Sequence, residues 1–390
     1  MLANREFYLP PVLLTGSGSS EKVGEQCQRL GVKKGLIVTD KVMSKMGLPD
    51  TFKQHLQKQN LSAAVYDGVD TEPTVDFINE GTKIFKREGC DFLLAVGGGS
   101  AIDTAKGIAV MTANPGSIVD YKGAGKVAKA GAPLLAIPTT AGTGSEVTQF
   151  TVITDRATNV KMLITSPLLI PNVAIVDPTL TLSCPKNLTA TVAIDALTHA
   201  IEAYVSKKAQ VLSDIFCLSA VRTISASLRA AWQNGQDLEA REKVMMGALE
   251  AGIAFSNASV ALVHGMSRPI GAYFHVAHGA SNAALLGVLT RFSLSGSPAR
   301  YAQIAAAMGE EVAGLSDMEA AGKGAAAITR LLKDIKIQTL RELGVEKSKL
   351  EQLASTMAGD AIASGSPSNN PRQASQAEMV DLYKEAYDTL

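Results

Sequence analysis

Short apolar runs and amphipathic segments take turns along the first 180 residues. Gly35–Asp40, Ala63–Tyr66, Asp91–Val96 and Leu134–Ile137 are brief, rich in Val, Ile, Leu and Ala, and stop at polar, glycine or proline residues. Runs of that length read as strands buried on both faces. Between and after them, Asp50–Asn60, Val75–Glu88 and Ala101–Met111 carry apolar residues at helical spacing. A strand-then-helix rhythm of this kind predicts a parallel sheet covered by helices. After Asp177-Pro178 the pattern changes: long, alanine-rich periodic segments dominate and strand-like runs nearly vanish. The second half is therefore expected to be all-helical, with the Gly/Ser/Asn-rich stretch Ser364–Pro371 as a loop before the last helix. We place an α/β domain at 1–180 and a helical domain at 181–390. One further run, Phe7–Leu14, is apolar and suits pairing at a sheet edge.

Composition narrows the function. A chain of 390 residues exceeds the size at which one core stops growing. Lysine plus arginine and aspartate plus glutamate both number 37, so the net charge is zero. Without a global basic field, neither nucleic acid nor an anionic membrane is an expected partner. Cys27, Cys90, Cys184 and Cys217 form no CxxC pair and read as reduced thiols. The segment Met1–Pro10 lacks a basic region followed by an apolar one, and no run of 18 apolar residues occurs. The expected setting is the cytoplasm.

Two loops follow strands and point to a nucleotide. Gly97-Gly-Gly-Ser100 offers backbone free of Cβ atoms at the start of a helix, where amides approach a phosphate. Pro138–Glu146 (Pro-Thr-Thr-Ala-Gly-Thr-Gly-Ser-Glu) is dense in hydroxyls and glycine. Ligands of parallel sheets lie beyond the strands' carboxyl ends. A third strand end supplies Asp40, whose carboxylate suits a ribose diol and repels a 2′-phosphate; an aspartate there also suits a helix N-cap.

Four of the five histidines, His199, His264, His275 and His278, crowd into one stretch of the second half. Asp195 precedes His199 by four residues, which puts a carboxylate and an imidazole on one helix face. A buried Asp–His hydrogen bond and a metal site both account for that pair. His264-Gly265 and His278-Gly279 favour the metal and would close its shell. Three imidazoles and one carboxylate suit iron, zinc, nickel or manganese.

The motifs Gly97-Gly-Gly-Ser-Ala-Ile-Asp-Thr-Ala-Lys106, Ile137–Val147, Asp195–His199, Val263-His-Gly-Met266 and His278–Asn282 together resemble the iron-containing alcohol dehydrogenases, relatives of glycerol dehydrogenase and dehydroquinate synthase. The resemblance implies a dehydroquinate synthase-like fold: an α/β dinucleotide-binding domain with a nucleotide crevice, then an all-helical metal-binding and substrate domain. It implies that Asp195, His199, His264 and His278 hold a divalent metal, most often ferrous iron. It also implies NAD on Gly98, Gly99 and Ser100, with Thr139, Thr140, Thr143 and Lys161 along the cofactor and Asp40 at the adenosine ribose. Members commonly pair through N-terminal strands, so a homodimer or larger homo-oligomer is expected. The implied reaction is hydride transfer between nicotinamide and a small alcohol or aldehyde. A zinc-dependent polyol dehydrogenase, a metal-assisted lyase or a non-catalytic nucleotide-binding relative are the alternatives.

One departure stands out. Many members carry a histidine four residues after the third ligand, thought to relay protons, whereas this chain has Arg268. Arginine stays charged and is a poor proton carrier, so His275, three residues before a ligand, is the candidate catalytic histidine; a structural role suits it equally. If Arg268 faces the substrate, an anionic substrate is conceivable. Phe150, Phe255, Tyr273 and Phe274 are candidates for the substrate pocket.

Overall fold

The computed structural model describes residues 4–158 and 160–390; Met1–Ala3, the start of the segment read above for a leader, lie outside them. The chain divides into two units, Tyr8–Ser183 and Cys184–Leu390, and the residues up to Phe7 group with the second.

The Tyr8–Ser183 unit holds strands β1 (Val12–Thr15), β2 (Lys34–Val38), β3 (Ser62–Tyr66), β4 (Phe92–Gly97), β5 (Gly123–Ala124), β6 (Leu134–Pro138), β7 (Phe150–Asp155), β8 (Val160–Thr165) and β9 (Val173–Val176). Its helices are α1 (Val23–Leu30), α2 (Lys41–Lys45), α3 (Leu48–Gln57), α4 (Val75–Arg87) and α5 (Gly99–Ala113). Six strands form one parallel sheet in the order β1-β9-β6-β4-β2-β3. Alternate residues feed two cores. Leu36, Val38, Leu93, Ala95, Leu134 and Ala136 enter one, while Ile37, Phe92, Leu94, Val96, Leu135 and Ile137 enter the other. With helices over both faces, β4 and β6 are buried throughout, which is why these runs lack polar alternation. β1 lies at the sheet edge, as the apolar N-terminal run predicts, with Leu13 exposed.

A second sheet, β5-β8-β7, departs from the expected rhythm. Its antiparallel hairpin pairs Phe150 with Thr165 through to Asp155 with Val160. Side chains alternate between buried Ile153, Met162 and Ile164 and exposed Val152 and Leu163. Helix α5 ties this region down with buried charge. Lys106, fully buried, donates to Thr148 O, Thr148 Oγ1 and Phe150 O at 2.8–2.9 Å. Asp103 accepts from Val152 N at 2.9 Å and from the Ser145 hydroxyl. Glu146 is buried beside them.

The second unit is built from α6 (Lys186–Val205), α7 (Val211–Gln233), α8 (Leu238–Ala258), α9 (Leu262–Phe274), α10 (His278–Ser293), α11 (Pro298–Ala307), α12 (Asp317–Asp334), α13 (Lys347–Ala363) and α14 (Gln376–Asp388). Every residue of α6 from Ala193 to Val205 is buried, the signature of a central helix. Helix α7 is long and apolar enough to cross a membrane by length and composition. Its buried positions, Cys217, Ala220, Val221, Ile224, Leu228 and Ala231, nevertheless fall on one stripe at core-helix spacing. The chain's start straps this helix: Arg5 donates to Lys208 O and Ala209 O, Gln210 Nε2 to Glu6 O, and Phe7 stacks on Phe216.

Burial pushes the Glu146 carboxyl up to about 7 and the Lys106 ammonium down to about 8, against the opposing pull of their neighbours' charges. A carboxyl that holds its proton more tightly when folded contributes fully below its ordinary titration range, and that contribution is lost as pH rises through the folded value. Glu146→Gln, which stays neutral, should therefore melt with the wild type near pH 5 and several degrees higher at pH 7.5. Differential scanning fluorimetry across this range checks it; an offset that does not vary with pH contradicts it.

Candidate active site

Adjacent strands β2, β4 and β6 end side by side, so three loops meet at one rim of the sheet. Asp40, after β2, has an extended backbone and caps α2: its Oδ1 accepts from Val42 N at 2.7 Å and Met43 N at 2.9 Å. Its Oδ2 makes no such bond and lies near Gly97, 3.7 Å from where a Cβ on that glycine would stand. Capping thus uses one oxygen of the carboxylate and leaves the other outside the cap. Gly97 has φ +152°, and a Cβ there would meet Ala101 Cβ at 2.9 Å. A Cβ on Gly99 would sit 2.8 Å from Thr143 Cγ2, and one on Gly98 3.6 Å from Thr140 Oγ1. The glycines therefore serve close packing between the two loops as well as open amides. Ser100 lies in the first turn of α5, where amide donors point outward. Thr139 is buried, its N–H donating to Gly97 O at 3.0 Å. Lys161, on β8, is ion-paired with Glu72 at 2.6 Å.

In the helical unit, α6 presents Asp195 and His199 one turn apart and α9 contributes His264. One ligand atom from each, all buried, lies within 4.8 Å of the other two. The His199 and His264 rings stack with centroids 4.4 Å apart, and Phe255 covers the other side of His199 at 4.0 Å. His278, the first residue of α10, stands with Nε2 3.9 Å from Asp195 Oδ1 and its ring 5.4 Å from that of His264. It is the more open member, with its side chain 39% exposed. Asn282, one turn along α10, donates to Asp195 Oδ1 at 2.6 Å.

Glu202 is the residue that the sequence reading missed. It follows Asp195 by seven and His199 by three, so all three share one face of α6. Its Oε1 accepts from Val263 N; its Oε2 accepts from Ala261 N at 3.0 Å and from His264 Nδ1 at 2.6 Å. One carboxylate thereby satisfies amides at the start of α9 and fixes the His264 tautomer. With the Nδ1 hydrogen committed to Glu202, Nε2 faces Asp195 Oδ1, 3.5 Å away, and is the nitrogen left to bind a cation once its proton is displaced. That buried Nε2 has no hydrogen-bond partner among the described residues.

Electrostatics agree with a cation site. Burial alone would raise the Asp195 carboxyl, yet His199, His278 and His264 hold it far below the usual carboxylate range. Burial alone would lower His264, yet Asp195 and Glu202 lift its imidazole to about 9. Two interior carboxylates that draw a proton onto a buried imidazole draw a divalent cation in the same way, and the donor set fits one.

The remaining candidates make no contact with the cluster that the described geometry records. His275 is exposed, closing α9 in a left-handed conformation at φ +57°. Tyr273 bonds to Asp360 at 2.9 Å, and Lys349 Nζ lies 5.0 Å from the centre of the Phe274 ring, so both aromatics are engaged with α13. Phe150 starts β7.

The donors around Glu202 yield a direct expectation. Glu202→Gln places an amide –NH₂ against a group that already donates, so the variant should retain less than about a tenth of wild-type metal affinity, within the range known for outer-shell partners. Glu202→Asp should lose less. Elemental analysis after dialysis against ferrous or zinc ion measures this; full occupancy in Glu202→Gln contradicts it.

Sequence comparison covers both units. The iron-containing alcohol dehydrogenase family matches residues 10–178, and the Fe-containing alcohol dehydrogenase C-terminal family matches residues 189–387. The chain is 39% identical to the 1,3-propanediol dehydrogenase of Klebsiella pneumoniae over 385 residues, 98% of each chain. It is 38% identical to the NAD-dependent methanol dehydrogenase of Bacillus methanolicus over 381 residues, 97% of this chain and 99% of the other. A crystal structure of 1,3-propanediol oxidoreductase superposes with a TM-score of 0.96 at 40% identity, covering 99% of this chain and 100% of that one. Sheet order, loop positions and the buried Asp–His cluster accord with these matches, and the chain belongs to the iron-containing alcohol dehydrogenase family.

Proposed function

We propose that the protein is a cytoplasmic, homo-oligomeric, NAD-dependent alcohol dehydrogenase that interconverts a small alcohol and its aldehyde. The observation that carries this reading is the buried Asp195–His199–His264 cluster within a chain of this family. His278 is the proposed fourth ligand, open enough for substrate to approach. A divalent cation, ferrous iron in this reading and chemically replaceable by zinc, nickel or manganese, supplies a Lewis acid for the substrate oxygen, while NAD supplies the hydride acceptor.

The chain's own residues bind and orient. The amides of Gly98, Gly99 and Ser100 hold the pyrophosphate at the start of α5. Thr139, Thr140 and Thr143 line the neighbouring loop, and Lys161 reaches the cofactor when it leaves Glu72. Asp40 Oδ2 accepts from the ribose diol. Glu202 holds the His264 imidazole by Nδ1. His275, exposed to water, carries the hydroxyl proton away. Unpaired thiols at all four cysteines suit a reducing compartment, and the exposed edge strand β1 offers a pairing surface between copies.

Three expectations follow from this assignment. Ferrous-loaded protein should reduce NAD with short alkanols and diols, followed at 340 nm, and prefer NAD over NADP by about tenfold or more, since two like charges meet at Asp40. Asp40→Gly should narrow that ratio, and equal use of both cofactors by the wild type overturns the Asp40 assignment. For the proton route, His275→Ala should cut turnover by about 100-fold at matched metal content. His275→Asn, which keeps the left-handed backbone accessible, should be equally slow; an active Asn variant assigns His275 to closing α9. Light scattering at micromolar concentration should return at least a dimer mass, and a strict monomer contradicts pairing through β1.

A further inference from the structure

Arg268 lies one turn beyond His264 on the same face of α9. Its side chain is only partly buried; burial lowers its pKa from the ordinary value, and the charge of Glu202 opposes that change. Yet it makes no hydrogen bond and no ion pair with any described residue. Other buried or partly buried arginines of this unit are matched. Arg241 donates to Gly235 O, Thr189 Oγ1 and Cys184 O; Arg300 bonds Tyr204 O and pairs with Asp214; Arg372 bonds Phe292 O and pairs with Glu378. A guanidinium carries five N–H donors in a fixed fork. With no protein partner, that fork is free to answer a planar or tetrahedral oxyanion, whose shape it fits.

Glu202 does not fill this role. Both its oxygens are committed, one to Val263 N and the other to Ala261 N and His264 Nδ1. The charges around His264 therefore leave a remainder. With a divalent cation bound, Asp195 and Glu202 would balance it between them, and Arg268 would add a positive charge that has no ion-pair partner among the described residues.

We infer that Arg268 is a specificity-determining residue that binds an anionic group, a carboxylate, sulfonate or phosphate, at the far end of the alcohol or aldehyde substrate. The inference rests on the dehydrogenase reading above and names its substrate class. The anionic group is a spectator: the hydride passes between the carbinol carbon and nicotinamide, the hydroxyl proton leaves to solvent, and the group held by Arg268 is unchanged. The same charge disfavours a cationic alcohol such as choline.

The test compares kcat/KM of the metal-loaded enzyme for 3-hydroxypropanoate, 2-hydroxyethanesulfonate and 2-hydroxyethyl phosphate with that for 1-propanol and choline. At least one anionic substrate should exceed 1-propanol by about tenfold or more, the three arms separating the oxyanions, and choline should be the poorest. In Arg268→Gln the anionic-to-neutral ratio should collapse by about tenfold or more, chiefly through KM, and Arg268→Lys should keep part of it. Independently of turnover, calorimetry with propanoate and ethanesulfonate should show binding to the wild type that Arg268→Gln lacks. Preference for 1-propanol over all three anions, or equal losses on both classes in Arg268→Gln with anion binding retained, overturns the inference while leaving the dehydrogenase intact. No oxidation of any alcohol, neutral or charged, overturns the dehydrogenase reading itself.

Discussion

Two carboxylates inside the wholly buried Ala193–Val205 stretch of α6, Asp195 and Glu202, are the constraint around which the helical unit is arranged. Ionised groups survive in such a place only when donors surround them. Asn282 reaches Asp195 from α10, while the amides at the start of α9 and the His264 ring reach Glu202. Each donor fixes a neighbouring helix against α6, so the requirement to satisfy buried charge and the requirement to aim imidazoles at one point are met by the same contacts. A looser packing would leave the carboxylates bare before it disturbed the histidines.

The α/β unit solves a different problem by different means. Its sheet positions loops, and the loops must come close without side chains intervening. Glycine at 99 allows Thr143 within contact distance, and the buried Lys106–Asp103 group fastens the far end of the same loop to α5. Open backbone at one end and neutralised charge at the other hold that loop beside the Gly97–Ser100 turn.

Much of this was legible in the sequence because burial on both sides of a strand leaves an unmistakable record: Leu93–Val96 and Leu134–Ile137 have no polar position to hide. The metal cluster announced itself through the scarcity of histidine elsewhere. The β7–β8 hairpin was not legible. Its buried positions include Thr151, and its exposed ones include Val152 and Leu163, so the alternation of polar and apolar residues that marks a half-exposed strand is scrambled. Glu202 was missed for another reason: a search for metal-binding types stops at Asp195 and His199, whereas the seven-residue spacing that adds Glu202 marks support rather than ligation. At Asp40 the two readings, helix cap and ribose acceptor, were never rivals, since a carboxylate has two oxygens and the fold uses one for the cap.

The strap formed by Arg5, Glu6 and Phe7 makes the helical unit discontinuous, with its first strands of contact made by the opening residues and its bulk by everything after Cys184. On the ribosome this imposes an order. The Tyr8–Ser183 segment has all its own parts once its last strand emerges and is free to fold, whereas the opening residues must wait, unengaged, until the 211–216 region is made. A tag fused ahead of Arg5 is therefore carried through that wait and ends beside the first turn of α7, a site where bulk would delay the last closure of the chain rather than its chemistry.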